Sequence, residues 1–220
     1  IVSCEGTGVY EHNVAGGSLP SITWKDGSIL KIKNSVQTNL NQSFWDVLVE
    51  GGTASSVTTG DDTSRTMTVR NDFKLSGGDF YLKNGGIVGG THTIRVKGNF
   101  IQSGGSFAWN SSSLDNTSIV KIEVEKDLII SAGTWSGNVS ATLCECGVFF
   151  LGNDVEQTYS TVLVHGISGA VRNRFYYKST SGPTALHEIY NGTIAQFTIN
   201  GSCGTSAPAG YSRWPSSGSV

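Results

Sequence analysis

The chain has 220 residues, a formal net charge of −2, 15% charged residues and 29 glycines. That balance excludes a basic stripe of the kind that binds nucleic acid, and no apolar run reaches the roughly 18 residues a membrane-spanning helix needs. Low charge with abundant Ser, Thr, Asn and Gly is the composition of a secreted, β-rich protein with polar, turn-dense faces.

Residues 1–34 read as short alternating strands between glycine corners, at Gly8 to Asn13, Gly16-Gly17 and Leu19 to Ile32. They form the opening unit or two of a repeat array. Phe44 to Glu50 reads as one further strand. Gly51 to Arg65 shows no apolar period and reads as a projecting loop, and such loops are usual binding places on repeat proteins. Its Asp61-Asp62 pair is a candidate ligand contact, with a solvated polar loop as the plainer reading.

From Met67 to Leu151 one phrase recurs. Val69-Arg-Asn-Asp-Phe73-Lys-Leu75-Ser-Gly77-Gly78-Asp-Phe80 returns as Val96-Lys-Gly-Asn-Phe100-Ile-Gln-Ser-Gly104-Gly105-Ser-Phe107. A looser third copy runs Val124-Glu-Lys-Asp-Leu128-Ile-Ile-Ser-Ala132-Gly133-Thr-Trp135. The spacing is 27 residues from Val69 to Val96 and 28 from Val96 to Val124. A fixed period of this size marks units that cannot bury an apolar face alone and must stack on their neighbours. Alternation in Thr91 to Lys97 predicts a half-buried strand, and the glycine pair predicts a tight corner, because glycine reaches φ > 0 without steric cost.

The expected fold is therefore all-β, a right-handed parallel β-helix (β-solenoid) with rungs of about 25–28 residues. Residues 1–220 form one such domain, and the clearest repeats lie at 67–151. Phe73, Phe100 and Leu128 are expected to form one interior ladder, and Phe80, Phe107 and Trp135 another. Gly77, Gly78, Gly104 and Gly105 are expected at the corners. The competing architecture is an antiparallel sandwich with hairpins at similar spacing.

Beyond the repeats, Gly147 to Gly152, Gln157 to Tyr159, Phe175 to Tyr177, Leu186 to Tyr190 and Ile194 to Ile199 read as strands. Gly204 to Val220 reads as irregular coil or the start of another unit. Breaks at Asn110 to Asn116 and Ser136 to Thr142 read as loops. The chain opens on Ile1 and closes without a polar cap, so it reads as part of a longer polypeptide.

The phrases Gly8-Val-Tyr10-Glu-His12-Asn, Gly16-Gly17, Asn41-Gln-Ser-Phe44 and Gly98-Asn-Phe100-Ile-Gln-Ser-Gly104-Gly105-Ser-Phe107 resemble the β-helical repeat region of large secreted surface proteins of Bacteroidetes-type bacteria. Many of these are cargo of the type IX secretion system. The resemblance covers most of residues 8–160. It implies a right-handed β-helix at or near the cell surface and carries over no catalytic residues.

Chemistry is sparsely signalled. Asp46 with Glu50, and Glu123 with Glu125 and Asp127, are the remaining carboxylate groupings. The last three alternate along what reads as one strand, and with Lys121 and Lys126 beside them the plain reading is a solvated face. His12, His92, His165 and His187 lack ligand-spaced partners and read as surface or turn residues. No nucleophile elbow or phosphate loop occurs. Five tryptophans and seven tyrosines could stack on sugar rings or fill the interior; Trp109 is the candidate contact.

Six Asn-x-Ser/Thr triplets, at Asn41, Asn110, Asn116, Asn138, Asn191 and Asn200, are within chance for this composition. Cys4, Cys144, Cys146 and Cys203 are expected to form at most one disulfide, involving Cys144 or Cys146, since strand geometry separates the rest. The sequence thus reads as a non-enzymatic extracellular segment, an adhesive stalk or structural spacer. No catalytic residue, cofactor or metal is assigned. Its partners would be other parts of a longer polypeptide or surface assembly, with glycans as candidate ligands, and no nucleic acid or membrane span. The alternative is a carbohydrate-binding or polysaccharide-degrading β-helix protein.

Overall fold

The computed structural model describes residues 2–36, 39–55, 64–83, 90–110, 119–136, 145–150, 159–161, 174–178, 189–190 and 211–213. Among them every regular element is a strand. In chain order these are β1 (Ser3–Cys4), β2 (Val9–His12), β3 (Thr23–Trp24), β4 (Ile29–Ile32), β5 (Ser43–Phe44), β6 (Asp46–Val49) and β7 (Thr53–Ser55). There follow β8 (Arg65–Val69), β9 (Phe73–Leu75), β10 (Asp79–Lys83), β11 (Thr91–Val96), β12 (Phe100–Asn110), β13 (Ile119–Val124) and β14 (Leu128–Ser136). The last five are β15 (Glu145–Phe150), β16 (Tyr159–Thr161), β17 (Arg174–Lys178), β18 (Ile189–Tyr190) and β19 (Tyr211–Arg213).

Two large sheets carry these strands apart from β1 and β3, which pair with each other. One has the order β19-β17-β15-β13-β11-β8-β5. The other runs β18-β16-β14-β12-β9-β6-β4-β2, with β10 joined to β12 and β7. Among the described residues every strand pairing is parallel except that of β17 with β19. A sandwich of antiparallel hairpins is thereby ruled out. Parallel neighbours need long connections, and here each strand pairs with its counterpart one repeat away, Val69 with Val96 and then Val124.

The core lies between the sheets and is built as columns. Leu30, Val47, Phe73, Phe100 and Leu128 stand in register, all essentially without solvent contact. Phe73 stacks on Phe100 with ring centroids 4.8 Å apart, and Phe80 on Phe107 at 6.2 Å. Phe100 meets Phe107 edge-on at 5.7 Å, so the two predicted ladders interlock. The backbone of Trp135 is in register with Phe107, while its side chain lies outside the described part.

Several expectations need correction. The phrase occurs a fourth time, at Val47 to Ala54, because Gly51-Gly52 occupies the glycine corner and Thr53–Ser55 pairs with β10. The front of the expected loop is thus a strand, and residues 56–63 lie outside the described part. Phe44 to Glu50 is two strands in different sheets, divided at Trp45. The opening units are shorter than the later period, 20 residues from Val9 to Ile29 and 17 from Ile29 to Asp46. Tyr211–Arg213, in the stretch expected as coil or the start of another unit, is a strand that pairs antiparallel with β17.

The glycine corners also differ in kind. Gly78 and Gly105 take φ of 70° and 64°, but β12 and β14 run through the corner as bulged continuous strands. Gly77 and Gly104 have no positive φ and are required for close approach instead. A Cβ on Gly104 would press on the Ser76 carbonyl of the preceding repeat.

Candidate functional site

Where the chain passes from one sheet to the other, backbone N–H groups leave the ladder and need other acceptors. A column of Asx side chains supplies them. The Asp46 carboxylate accepts from the Asp72 N–H at 2.9 Å and from the Asn71 amide at 2.9 Å. Asp72 accepts from the Asn99 N–H at 2.9 Å, and Asn99 from the Asp127 N–H at 3.2 Å. Each repeat is therefore tied to the next by a charge-assisted or amide hydrogen bond at the same corner. These residues sit in the recurring phrase just before Phe73, Phe100 and Leu128, so the signal was visible but not read as a ladder.

Gln102 is fully buried in the column that also holds Leu75 and Ile130. Its amide donates to the carbonyls of Gly105 at 3.3 Å and Thr134 at 2.9 Å, which clamps the glycine bulge. His12 is buried rather than exposed, with Nε2 3.0 Å from the Gly16 carbonyl and 3.1 Å from that of Ser35. His92 is likewise buried, in an inward column beside Val120. His165 and His187 lie outside the described residues.

The outward face of the seven-stranded sheet carries the group that sequence reasoning misplaced. β13 ends at Val124, so Glu125 and Asp127 belong to the connection and only Glu123 lies on the strand. Its side chain is 5% exposed although the strand alternation points it outward. Arg95 reaches one carboxylate oxygen through Nε at 2.6 Å, and Lys121 reaches the other at 2.8 Å.

Two other described carboxylates each meet one lysine. Glu50 pairs with Lys31 at 3.1 Å and Glu11 with Lys33 at 3.0 Å. Asp46 and Glu50 do not work together, since the first belongs to the Asx column. Arg70 joins Asp26, bonds the Trp24 carbonyl and lies 5.3 Å over the Trp45 ring. Trp24 is interior, donating to Gln42 at 3.3 Å. Burial, reinforced by the Asp79 carboxylate, raises the Tyr81 phenol above its ordinary value of 10.0.

Of the candidate contacts, Asp61 and Asp62 lie outside the described residues, and Trp109 is placed only by its backbone on β12. Among the described residues no three His, Cys, Asp or Glu side chains converge as metal ligands, and no helix is long and apolar enough to cross a membrane. Cys4 carries a free thiol. No family model, curated protein or solved structure matches the chain.

Proposed function

We propose that the chain is a stretch of right-handed parallel β-solenoid serving as an adhesive stalk or structural spacer in a secreted or cell-surface protein. The observation that carries this reading is the repeated register. In both sheets a residue pairs with its equivalent one period on, as Phe73 with Phe100 and Leu128, and Val69 with Val96 and Val124. Right-handedness follows the general hand of parallel crossover connections. Such a stack is quasi-one-dimensional, so its length can be set by the number of repeats without redesign of a core.

Two features support a mechanical rather than chemical role. The Asx column and the Gln102 amide N–H bond to Thr134 join one repeat to the next. Glu11, Glu50 and Glu123 are engaged by cations, and Asp46 by a backbone N–H group. The surface location rests on low charge and on the resemblance of the repeated phrases, with other parts of a longer polypeptide or surface assembly as partners.

Deleting residues 73–99, one full period, joins Asp72 to Phe100 at an equivalent corner and should leave a shorter, cooperatively folded β protein. An unfolded product would count against the stacked-repeat reading. Protease treatment of intact source cells should remove the protein; protection equal to that of a cytoplasmic marker would overturn the surface role. Turnover in a reducing-end assay on acidic polysaccharides would overturn the non-enzymatic part.

A further inference from the structure

Among the described residues β1 and β2 form one end of the stack, and they carry a free edge. β2 is the outermost strand of its sheet, and β1 pairs with β3 alone. In a parallel ladder alternate residues turn their backbone groups toward the same neighbour. The Gly8 carbonyl accepts from the Ile29 N–H at 2.9 Å and the His12 carbonyl from the Lys33 N–H at 3.0 Å. The N–H and C=O groups of Val9 and Glu11, which alternate with these, therefore point away from β4, and no described strand pairs with that side.

The side chains at this end differ from those farther in. Val2, Val9 and Val14, each more than half exposed, are the large apolar side chains most open to solvent among the described residues. Two interior columns also stay open here. Tyr10 stands in register with Leu30, and Cys4 with Trp24; Leu30 and Trp24 are buried, while Tyr10 and Cys4 are only half-buried. A strand laid along β2 would close the Tyr10 column as each repeat closes the one before it. An unpaired edge flanked by apolar side chains is a template for another chain.

The far end of the same chain fits this edge in direction and in charge. β18 is the outermost strand at the other end of the sheet that holds β2, and β19 that of the seven-stranded sheet. All strands from β2 to β18 along that path run the same way. The β18 edge of one copy can thus accept β2 of the next as one more parallel neighbour. Residues 1–24 hold Glu5 and Glu11 and no Lys or Arg, a side-chain charge of −2. Lys33 holds Glu11 at 3.0 Å, and Glu5 is exposed. Residues 157–220 hold Arg172, Arg174, Lys178 and Arg213 against one carboxylate, Glu188, a side-chain charge of +3. Arg174 and Lys178 lie on β17 and Arg213 on β19, the last two strands of their sheet. Pairing two first units with each other would instead oppose two acidic ends, and like charges across an interface are unfavourable.

We propose that the chain associates head to tail with further copies of itself, the β1 and β2 edge of one copy seated on the end formed by β17, β18 and β19 of the next. Such a contact is heterologous and does not close, so it builds open linear assemblies rather than a fixed dimer. It rests on the stalk reading above and deepens it, because the number of chains as well as the number of repeats then sets the length.

Sedimentation velocity of the whole 220-residue chain, run over a range of concentration and salt, tests this. Expected is a series of species above the monomer that grows with concentration and shrinks as salt rises. Val9→Lys places a charge on the exposed edge side chain, and Glu5→Lys reverses the charge of that end. Each should weaken association at least several-fold with an unchanged urea midpoint. A single monomeric species at every concentration overturns the proposal. So does a dimer that grows no further, the mark of a closed two-fold contact, and so does association that both variants leave intact. Should Val9→Lys lower the urea midpoint, Glu5→Lys and Arg213→Glu serve as the comparators at the two ends, and unchanged association in both would overturn the head-to-tail contact. A chain that stays monomeric while the variant lacking residues 73–99 folds cooperatively would sink the assembly and leave the stacked-repeat reading standing.

Discussion

Replacing Gly105 by alanine tests the contact on which the stacking depends. Gly105 has φ of 64°, a left-handed conformation that costs a residue with a Cβ about 1–2 kcal/mol. The new Cβ would lie 2.6 Å from the Gly78 carbonyl oxygen and 2.9 Å from the Gly77 carbonyl carbon. Both are backbone atoms of the preceding repeat and cannot rotate away, so relief requires the two repeats to part, at about 1–3 kcal/mol for overpacking of this size. Reduced freedom of the unfolded chain returns about 0.4–1 kcal/mol. The expected loss is about 1–5 kcal/mol, centred near 3, in urea unfolding with an unchanged m-value. Gly17 separates the two causes, since its φ is 87° yet a Cβ there would meet nothing within 4 Å. Gly17→Ala should lose only about 1 kcal/mol. If Gly105→Ala is no worse than Gly17→Ala, backbone contact between repeats at the corner is refuted.

Phe100→Ala should cost about 3–5 kcal/mol, since the ring is fully buried between Phe73 and Phe107; a loss below roughly 1 kcal/mol in urea melts would undo the ladder. Glu123→Gln should cost about 1–3 kcal/mol, less than the ~3–5 of a fully buried pair because Arg95 and Lys121 keep water, and adding Arg95→Gln should cost less than the separate effects imply. Additive losses would show that the pair is uncoupled. The Tyr81 phenol should ionise above the ordinary tyrosine value in an ultraviolet titration, and Tyr81→Phe should remove that late component. Because the folded state favours the neutral phenol, its contribution to stability is whole below the unfolded pKa and is lost as pH rises through the folded one. A Tyr81 titration at or below the ordinary value would contradict the burial assigned to it.

What the sequence made legible was whatever repeats with the same residue at the same offset. Phe73 and Phe100, and Phe80 and Phe107, are identical pairs one period apart, and a ladder follows directly from them. The fourth copy of the phrase escaped because its large residues are replaced: Val47 stands where Phe73 does and Ala54 where Phe80 does. Only Gly51-Gly52 preserves the pattern. Glu123 escaped for a different reason. Alternation along one strand separates inward from outward, but outward does not mean solvated when Arg95 lies beside the group and Lys121 two residues away. The burial of His12 by the carbonyls of Gly16 and Ser35 depends on chain segments meeting 23 residues apart, which no local pattern encodes.

The pairing of β12 with β14 shows which alignments the fold protects. Gln102 pairs with Ile130, but Ser103 pairs with Ala132, so β14 carries one extra residue at Ser131. Between Ser103 and Ser106 the excess reverses, because β12 holds Gly104 and Gly105 where β14 holds Gly133 alone. The two irregularities cancel, and Phe107 meets Trp135 in register. A slip of one residue left uncorrected would have turned every inward side chain of the following stretch outward. Gly133, with φ of 98°, makes the bend that two glycines make in the repeat before it. Bulges of opposite sense therefore let the corner sequence drift while the aromatic column stays aligned. The outward positions answer to no such alignment, which leaves them open to carry Thr68, Arg95 and Glu123 in successive repeats.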